Sequence, residues 1–525
     1  MKIVKLTVIS SVVSLNLMAV DMGSVMADVA QTNPKVIQKK KEYNSVFETL
    51  NISQGDYFLP SIDLSAGLSR AKTNHTKPEK FDDQYTNKTL SLTATENLFN
   101  GFGTVNDIDA KKAALASAAF SYMQTLNEVS LNTAKVYLDL ARHRDLLTVE
   151  IDNFNKHKKI MNAITARSRA GVGVIGDQQE IVAKTNLAYA NYIAESNNLK
   201  AAQISMNKIL GRTLDINSLV SPDVGENLTY TLPQAIDFAL VHNPALYVQK
   251  YNVIQARYNQ EKDEKEFMPK IDLIVEQKYV NGKNDDTGDE TEYDKLSGGL
   301  SLNWNLFRGM KDVHTKRKNI SLIQAEQEKY NSIKRDLVEE IELAWTTYKM
   351  HEKEYAYLTN YVNNAKAKLD TNTKLFRIGK KSLFEFLASQ TDYNSAKEKL
   401  INTKYDLVFT KLRVLKALGI LADMANPNAK KEIGIVGDGL HDYRAMSYKA
   451  DSLPPREETI NQSGSVTTND LIGFDSYKVV SPTTTMQTQA NCKTVVYSDD
   501  TNDEKYRDVY DEEYVAPTSA VKKRR

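Results

Sequence analysis

Two short stretches concentrate the residues whose types and spacing could do chemistry. Arg169-Ala-Gly-Val-Gly-Val-Ile-Gly-Asp177 and Arg377-Ile-Gly-Lys-Lys-Ser-Leu-Phe-Glu385 each set an Arg two residues before a Gly and an acid six residues after it. The second adds Lys381 and Ser382 beside its acid. This is a chemistry of charge rather than of bond-making. Acidic side chains gathered close together repel one another, raise each other's pKa and favour nearby cations. A second reading is local, because Asp177-x-x-Glu180 and Ser382-x-x-Glu385 both have the spacing of boxes that start helices. Either stretch is also a turn, for which Gly171 and Gly379 supply the flexible residue.

Other chemistries find little support. Gly171-Val-Gly-Val-Ile-Gly176 spells a dinucleotide fingerprint, but that motif needs a strand before it, and here a long helical pattern precedes it. The seven His are scattered, no Ser/His/Asp set has a supporting context, and the single Cys492 excludes a cysteine metal cluster or an internal disulfide framework. No cofactor is expected. A net charge of +1 gives no general attraction to nucleic acid or anionic lipid.

The elements that must position the two stretches come in pairs. The stretches lie 208 residues apart, and Asn97-Leu-Phe-Asn-Gly101 returns at the same offset as Asn305-Leu-Phe-Arg-Gly309. Ile209-Leu-Gly211 likewise returns as Ala417-Leu-Gly419. A constant offset over that span means internal duplication. The repeats are read as 21–211 and 231–421, joined by a connector over 212–230. Each begins with a helical pattern, about Met26 to Leu59 and Leu232 to Met268, with Asn33-Pro34 and Asn243-Pro244 near its start and Phe58-Leu-Pro60 and Phe267-Met-Pro269 closing it, so that each pair of prolines brackets one element. Period-two alternation of apolar and polar residues follows in each, predicting a hairpin at about 61–97 and another at about 270–305. The polar segment from Arg70 to Lys88 reads as a long loop. Then come two long helices. From Val105 to Ala170 there is no Pro or Gly, and Leu115, Ala119, Tyr122, Leu126, Val129, Thr133, Val136 and Leu140 form a coiled-coil-like seam. The tip turns at 169–177 and 377–385 lead into return helices half as long, so two short helices can stack beside one long one.

The ends differ. Two Lys within the first five residues, then an apolar run to Val20, read as a secretory signal over 1–20, cut after Ala19 or Ala27. No Cys follows for a lipid anchor. Residues 422–525 are polar and predict a largely disordered tail.

Four strands cannot close a membrane barrel alone, since open edges are not tolerated in lipid. If the hairpins span a membrane, copies of the chain must share one barrel. The ordered set of helix with Asn-Pro, hairpin, Asn-Leu-Phe-x-Gly, long helix, Arg-x-Gly turn and return helix, present twice, resembles the TolC-like outer-membrane efflux channels over about residues 24–421. The resemblance implies a membrane α+β fold: a homotrimer with a twelve-stranded β-barrel in outer-membrane lipid and a periplasmic α-helical barrel. It also implies work with a periplasmic adaptor and an inner-membrane transporter to export small molecules or secreted proteins, with no enzymatic role. By resemblance, Asp177, Glu385 and Lys381 lie at the pore constriction, while Arg169, Gly171, Arg377, Gly379 and Ser382 lie at the adaptor-docking tip. Ala388 stands where the family carries a second acid. The competing reading is a periplasmic coiled-coil scaffold or adaptor that never spans a membrane.

Overall fold

The structure is a computed structural model that describes residues 20–75, 81–225, 227–436 and 439–440. The expected signal segment lies outside the described residues apart from Val20, as does the tail beyond residue 440.

Each repeat opens with a helix pair rather than a single helix. Helix α1 (Met22–Thr32) and α2 (Pro34–Phe58) are separated at Asn33, and α5 (Leu232–His242) and α6 (Pro244–Asp263) at Asn243. The continuous helices expected from the pattern therefore break. A residue before Pro is pushed out of the α region, and both Asn take extended angles, φ −69° and −70°. Each then caps the next helix, its Oδ1 accepting from Lys35 N at 3.0 Å and Ala245 N at 2.9 Å.

Strands β1 (Ser61–His75), β2 (Phe81–Asn100), β3 (Lys270–Asn284) and β4 (Glu290–Asn303) form one antiparallel sheet in the order β1-β2-β3-β4. The β2–β3 pairing joins the repeats. The expected loop from Arg70 to Lys88 is mostly strand, because Arg70 pairs with Thr86 and Leu68 with Lys88 in the backbone ladder. Polar residues on both faces conceal such pairing from a pattern search, yet the backbone ladder still forms. Arg70 also reaches Gln84 at 3.0 Å and Asp285 at 3.1 Å.

The chain leaves the sheet through two consecutive left-handed residues in each repeat. Gly101 and Phe102 have φ of 63° and 61°, and Gly309 and Met310 have 62° and 63°. The long helices α3 (Gly103–Arg169) and α7 (Lys311–Arg377) follow, each 67 residues, about 100 Å at the usual rise per residue. The return helices are α4 (Ile175–Leu210) and α8 (Leu383–Ala417). Near the sheet the packing order is α2-α3-α6-α7, and towards the turns it is α4-α3-α8-α7. Two short helices therefore share the length of each long one. Of the expected seam, Leu115, Ala119, Tyr122, Leu126, Thr133 and Leu140 are buried, whereas Val129 and Val136 are half-buried. Trp345 is buried in the same core, edge-on to Tyr348.

The connector over 212–230 is held against the middle of the helices. The Tyr137 hydroxyl lies 2.8 Å from the Val20 carbonyl and 2.7 Å from that of Val220, and Lys411 Nζ donates to Val224 O at 2.6 Å. Val20 itself bridges to Leu219. The folded part also runs past the expected tail boundary at 422. Helices α9 (Leu421–Ala425) and α10 (Ala429–Glu432) bury Leu421, Ala422, Met424, Ala425 and Ala429 in the core. A short apolar run among polar residues gave too weak a period to register as structure. Buried Asn127 fastens this corner, donating to Lys416 O at 2.7 Å and accepting from Ala422 N at 3.2 Å. A two-residue pair, β5 (Ile435–Val436) with β6 (Gly439–Leu440), closes the described chain.

Candidate functional site

The sheet has two unlike faces, set by its register. Cross-strand partners share a face, so Ile62–Ala94–Val275 and Leu64–Leu92 lie on one side, with Leu273–Leu300 and Ile271–Leu302. These residues are largely open to the surroundings; Leu64 and Leu300 are each 70% exposed. The other side carries Asp63–Thr93–Glu276–Ser297 and Ser65–Ser91–Lys278–Lys295. Strands β1 and β4 each have one neighbour, leaving both sheet edges unpaired among the described residues. At the helix end of the sheet Trp304 is exposed and its indole donates to Phe267 O at 3.3 Å. Phe58, Phe102, Phe267 and Phe307 are exposed as well, a composition suited to a membrane interface.

At the far end both tip turns have the same construction. Gly171 N donates to Ser168 O at 3.0 Å and Val172 N to Arg167 O at 3.1 Å; Gly379 N and Lys380 N repeat this to Phe376 O and Leu375 O at 3.0 and 2.9 Å. These are paired helix-ending bonds that require a left-handed residue, and both glycines have φ of 75°. A Cβ at either would meet nothing within 4 Å, so backbone conformation alone demands glycine. Arg169 and Arg377 end α3 and α7 exposed, without an ion pair among the described residues, where the helix dipole favours a cation.

Lys381, Ser382 and Glu385 are brought together. Ser382 caps α8 in a complete box, with Glu385 N donating to its hydroxyl at 3.2 Å and Glu385 accepting from Ser382 N at 3.1 Å. Lys381 Nζ reaches the same carboxyl at 2.5 Å. The Lys381 hydrogen bond, with help from Ser382, holds the Glu385 carboxyl down at about 2. Asp177 stands apart. The spacing Asp177-x-x-Glu180 does not form a capping box, because α4 starts two residues earlier, after Val174. Asp177 sits in the first turn, half-exposed and with no side-chain partner among the described residues.

A small apolar cluster joins the two tips: Ile164 and Ile181 from the first repeat meet Leu369, Leu383, Phe386 and Leu387 from the second. Between this cluster and the main core, the α3–α8 seam is polar. Asn394 Nδ2 donates to Asn153 Oδ1 at 2.5 Å, and Glu150 is buried beside Glu398. Burial, then the charges of Glu150 and Glu195, pushes the Glu398 carboxyl up to about 7. Sequence reasoning missed this pair, since no local motif links acids so far apart in the chain.

The outer membrane efflux protein family matches residues 25–212 and 235–420. The chain is similar to the outer membrane efflux protein BepC of Brucella suis, at 23% identity over 71% of this chain and 79% of the relative. It is also similar to the outer membrane protein TolC of Escherichia coli, at 20% identity over 77% of this chain and 83% of that protein. Among solved structures, the CmeC outer membrane channel of Campylobacter jejuni superposes with a TM-score of 0.64 at 16% identity, covering 81% of this chain and 90% of that one. The fold is thus that of an efflux channel, with a small antiparallel sheet and long helices, and members of the family are channels rather than enzymes. The chain belongs to the outer membrane efflux protein family: it is an outer-membrane export channel with a large periplasmic helical part.

Proposed function

We propose that three copies of the chain close a twelve-stranded barrel, continued by a twelve-helix tunnel through the periplasm. The observation that carries this is the sheet, with an apolar face and two unpaired edges. In lipid, free edges must be paired, and β1 of one copy supplies the partner for β4 of the next. The helices support the same closure. With four helix columns per copy, the free flanks of the tip half belong to α4 and α7. Both flanks expose apolar residues: Leu187, Ile193 and Ile204 on α4, and Leu343, Met350 and Tyr357 at heptad spacing on α7. A coiled-coil seam between copies would cover them.

At the tip, Asp177, Glu385 and Lys381 form the constriction. Asp177 carries the unneutralised charge, and the Lys381–Glu385 pair braces the start of α8. Arg169, Gly171, Arg377, Gly379 and Ser382 form the rim on which a periplasmic adaptor docks, presenting an inner-membrane transporter to the duct. The cargo is small molecules or secreted proteins. Mass measurement of the detergent-solubilised protein, with bound detergent subtracted, tests the assembly. Three chains are expected. A monomer that stays soluble without detergent would remove the barrel and revive the scaffold reading.

A further inference from the structure

The polar face of the sheet carries a charge arrangement that membrane insertion alone does not require. Lys278 on β3 and Lys295 on β4 are direct cross-strand partners, so both ammonium groups leave the sheet on one side. Ser91 and Ser65 continue the same level across β2 and β1, their hydroxyls 2.7 Å apart. Like charges directly opposite on neighbouring strands are destabilising, and an adjacent carboxylate would ordinarily relieve them. None does so here. Neither lysine forms an ion pair with a described residue, although lysines at both ends of β3 are paired, Lys270 with Asp272 at 2.9 Å and Lys283 with Glu290 at 3.1 Å. The acids of this face nearest the pair, Asp63 and Glu276, sit one level closer to the helices, aligned with Thr93 and Ser297.

We propose that Lys278 and Lys295 form an anion-binding girdle inside the barrel, engaging phosphate or carboxylate groups of departing cargo. The inference rests on the trimeric barrel proposed above, which turns the polar face toward a water-filled lumen and gathers two ammonium groups from every copy at one level. Rings of lysine select anions in pores, and low-dielectric walls focus their field. The serine hydroxyls add neutral donors at the same height. Along the exit path the lysine level then follows the acid level of Asp63 and Glu276. A polyanion meets its strongest attraction at the last stage of exit.

Full-length protein in planar bilayers, inserted barrel-first from one side, supplies the test, with tripolyphosphate as the probe at roughly 0.1 M salt. Wild type is expected to conduct, and to be blocked from the barrel side. In K278Q/K295Q the half-blocking concentration should rise by about tenfold or more. K278R/K295R keeps the charge and should block like wild type, which separates loss of charge from faulty folding. Conductance with equal block in wild type and K278Q/K295Q would overturn the girdle while leaving the channel intact. Absence of conductance from wild type would overturn both.

Discussion

At Glu385 three donors converge on one carboxyl group: Lys381 Nζ, the Ser382 N–H and the Ser382 hydroxyl. Its pKa, about 2, lies below the ordinary 4.5, so the group stabilises the fold fully above that ordinary value. The contribution is lost only as pH falls from about 4.5 towards 2. Ser382→Ala should cost about 1 kcal/mol of local stability, seen as faster amide exchange over the first turn of α8. Because Lys381 offsets Glu385 while Asp177 has no partner among the described residues, Asp177→Asn should lower the cation preference of single-channel currents more than Glu385→Gln does. Equal effects would place both acids alike in the pore; no effect from either would remove them from it. Glu398 behaves in the opposite sense. Its folded pKa, about 7, is raised, so the folded state holds a proton that the unfolded chain releases. Stability therefore falls as pH rises from about 4.5 to 7. Glu398→Gln should flatten that slope in thermal melts between about pH 4 and 8, which bracket the window. The Ser382 box was legible because its spacing is local. The Glu150–Glu398 contact was not, because it depends on how α8 lies against α3.

Elements with a strong period were readable from residue order alone, as the two long helices demonstrate. What escaped was punctuation and polar pairing. Asn33-Pro34 and Asn243-Pro244 were visible, yet whether Pro opens a new helix or merely bends one depends on the cap that Asn forms. The outer halves of β1 and β2 carry polar residues on both faces, so no alternation marks them as strand. The left-handed pairs at the strand-to-helix junctions separate two causes of glycine use. Gly309→Ala meets no atom within 4 Å and should cost about 1–2 kcal/mol for backbone conformation alone. Gly101→Ala adds contacts at 2.8 Å to Met268 Cβ and 3.0 Å to Lys265 Cα, and should be distinctly worse. Thermal stability of the two purified variants checks the order; a milder Gly101→Ala would mean the junction yields readily.

At the scale of the whole chain, the position of α1 bears on its processing. Cutting after Ala27 would remove Asp21, whose side chain caps α1, together with core residues Met22, Val25 and Met26. Cutting after Ala19 would leave these and the Val20–Leu219 bridge in place. Mass spectrometry of the mature protein should find Val20 as its first residue, and a start at Asp28 would overturn this assignment. The equal lengths of α3 and α7 have a consequence for how such a chain can change over evolutionary time. Each helical residue adds 1.5 Å and turns the chain by about 100°. One residue inserted in α3 alone would lower Arg169, Gly171 and Asp177 and swing them round the axis, while Arg377, Gly379 and Glu385 stayed where they were. The two halves act as a ruler for one another, so a viable lengthening of the duct has to be written twice, in steps that restore the helical phase.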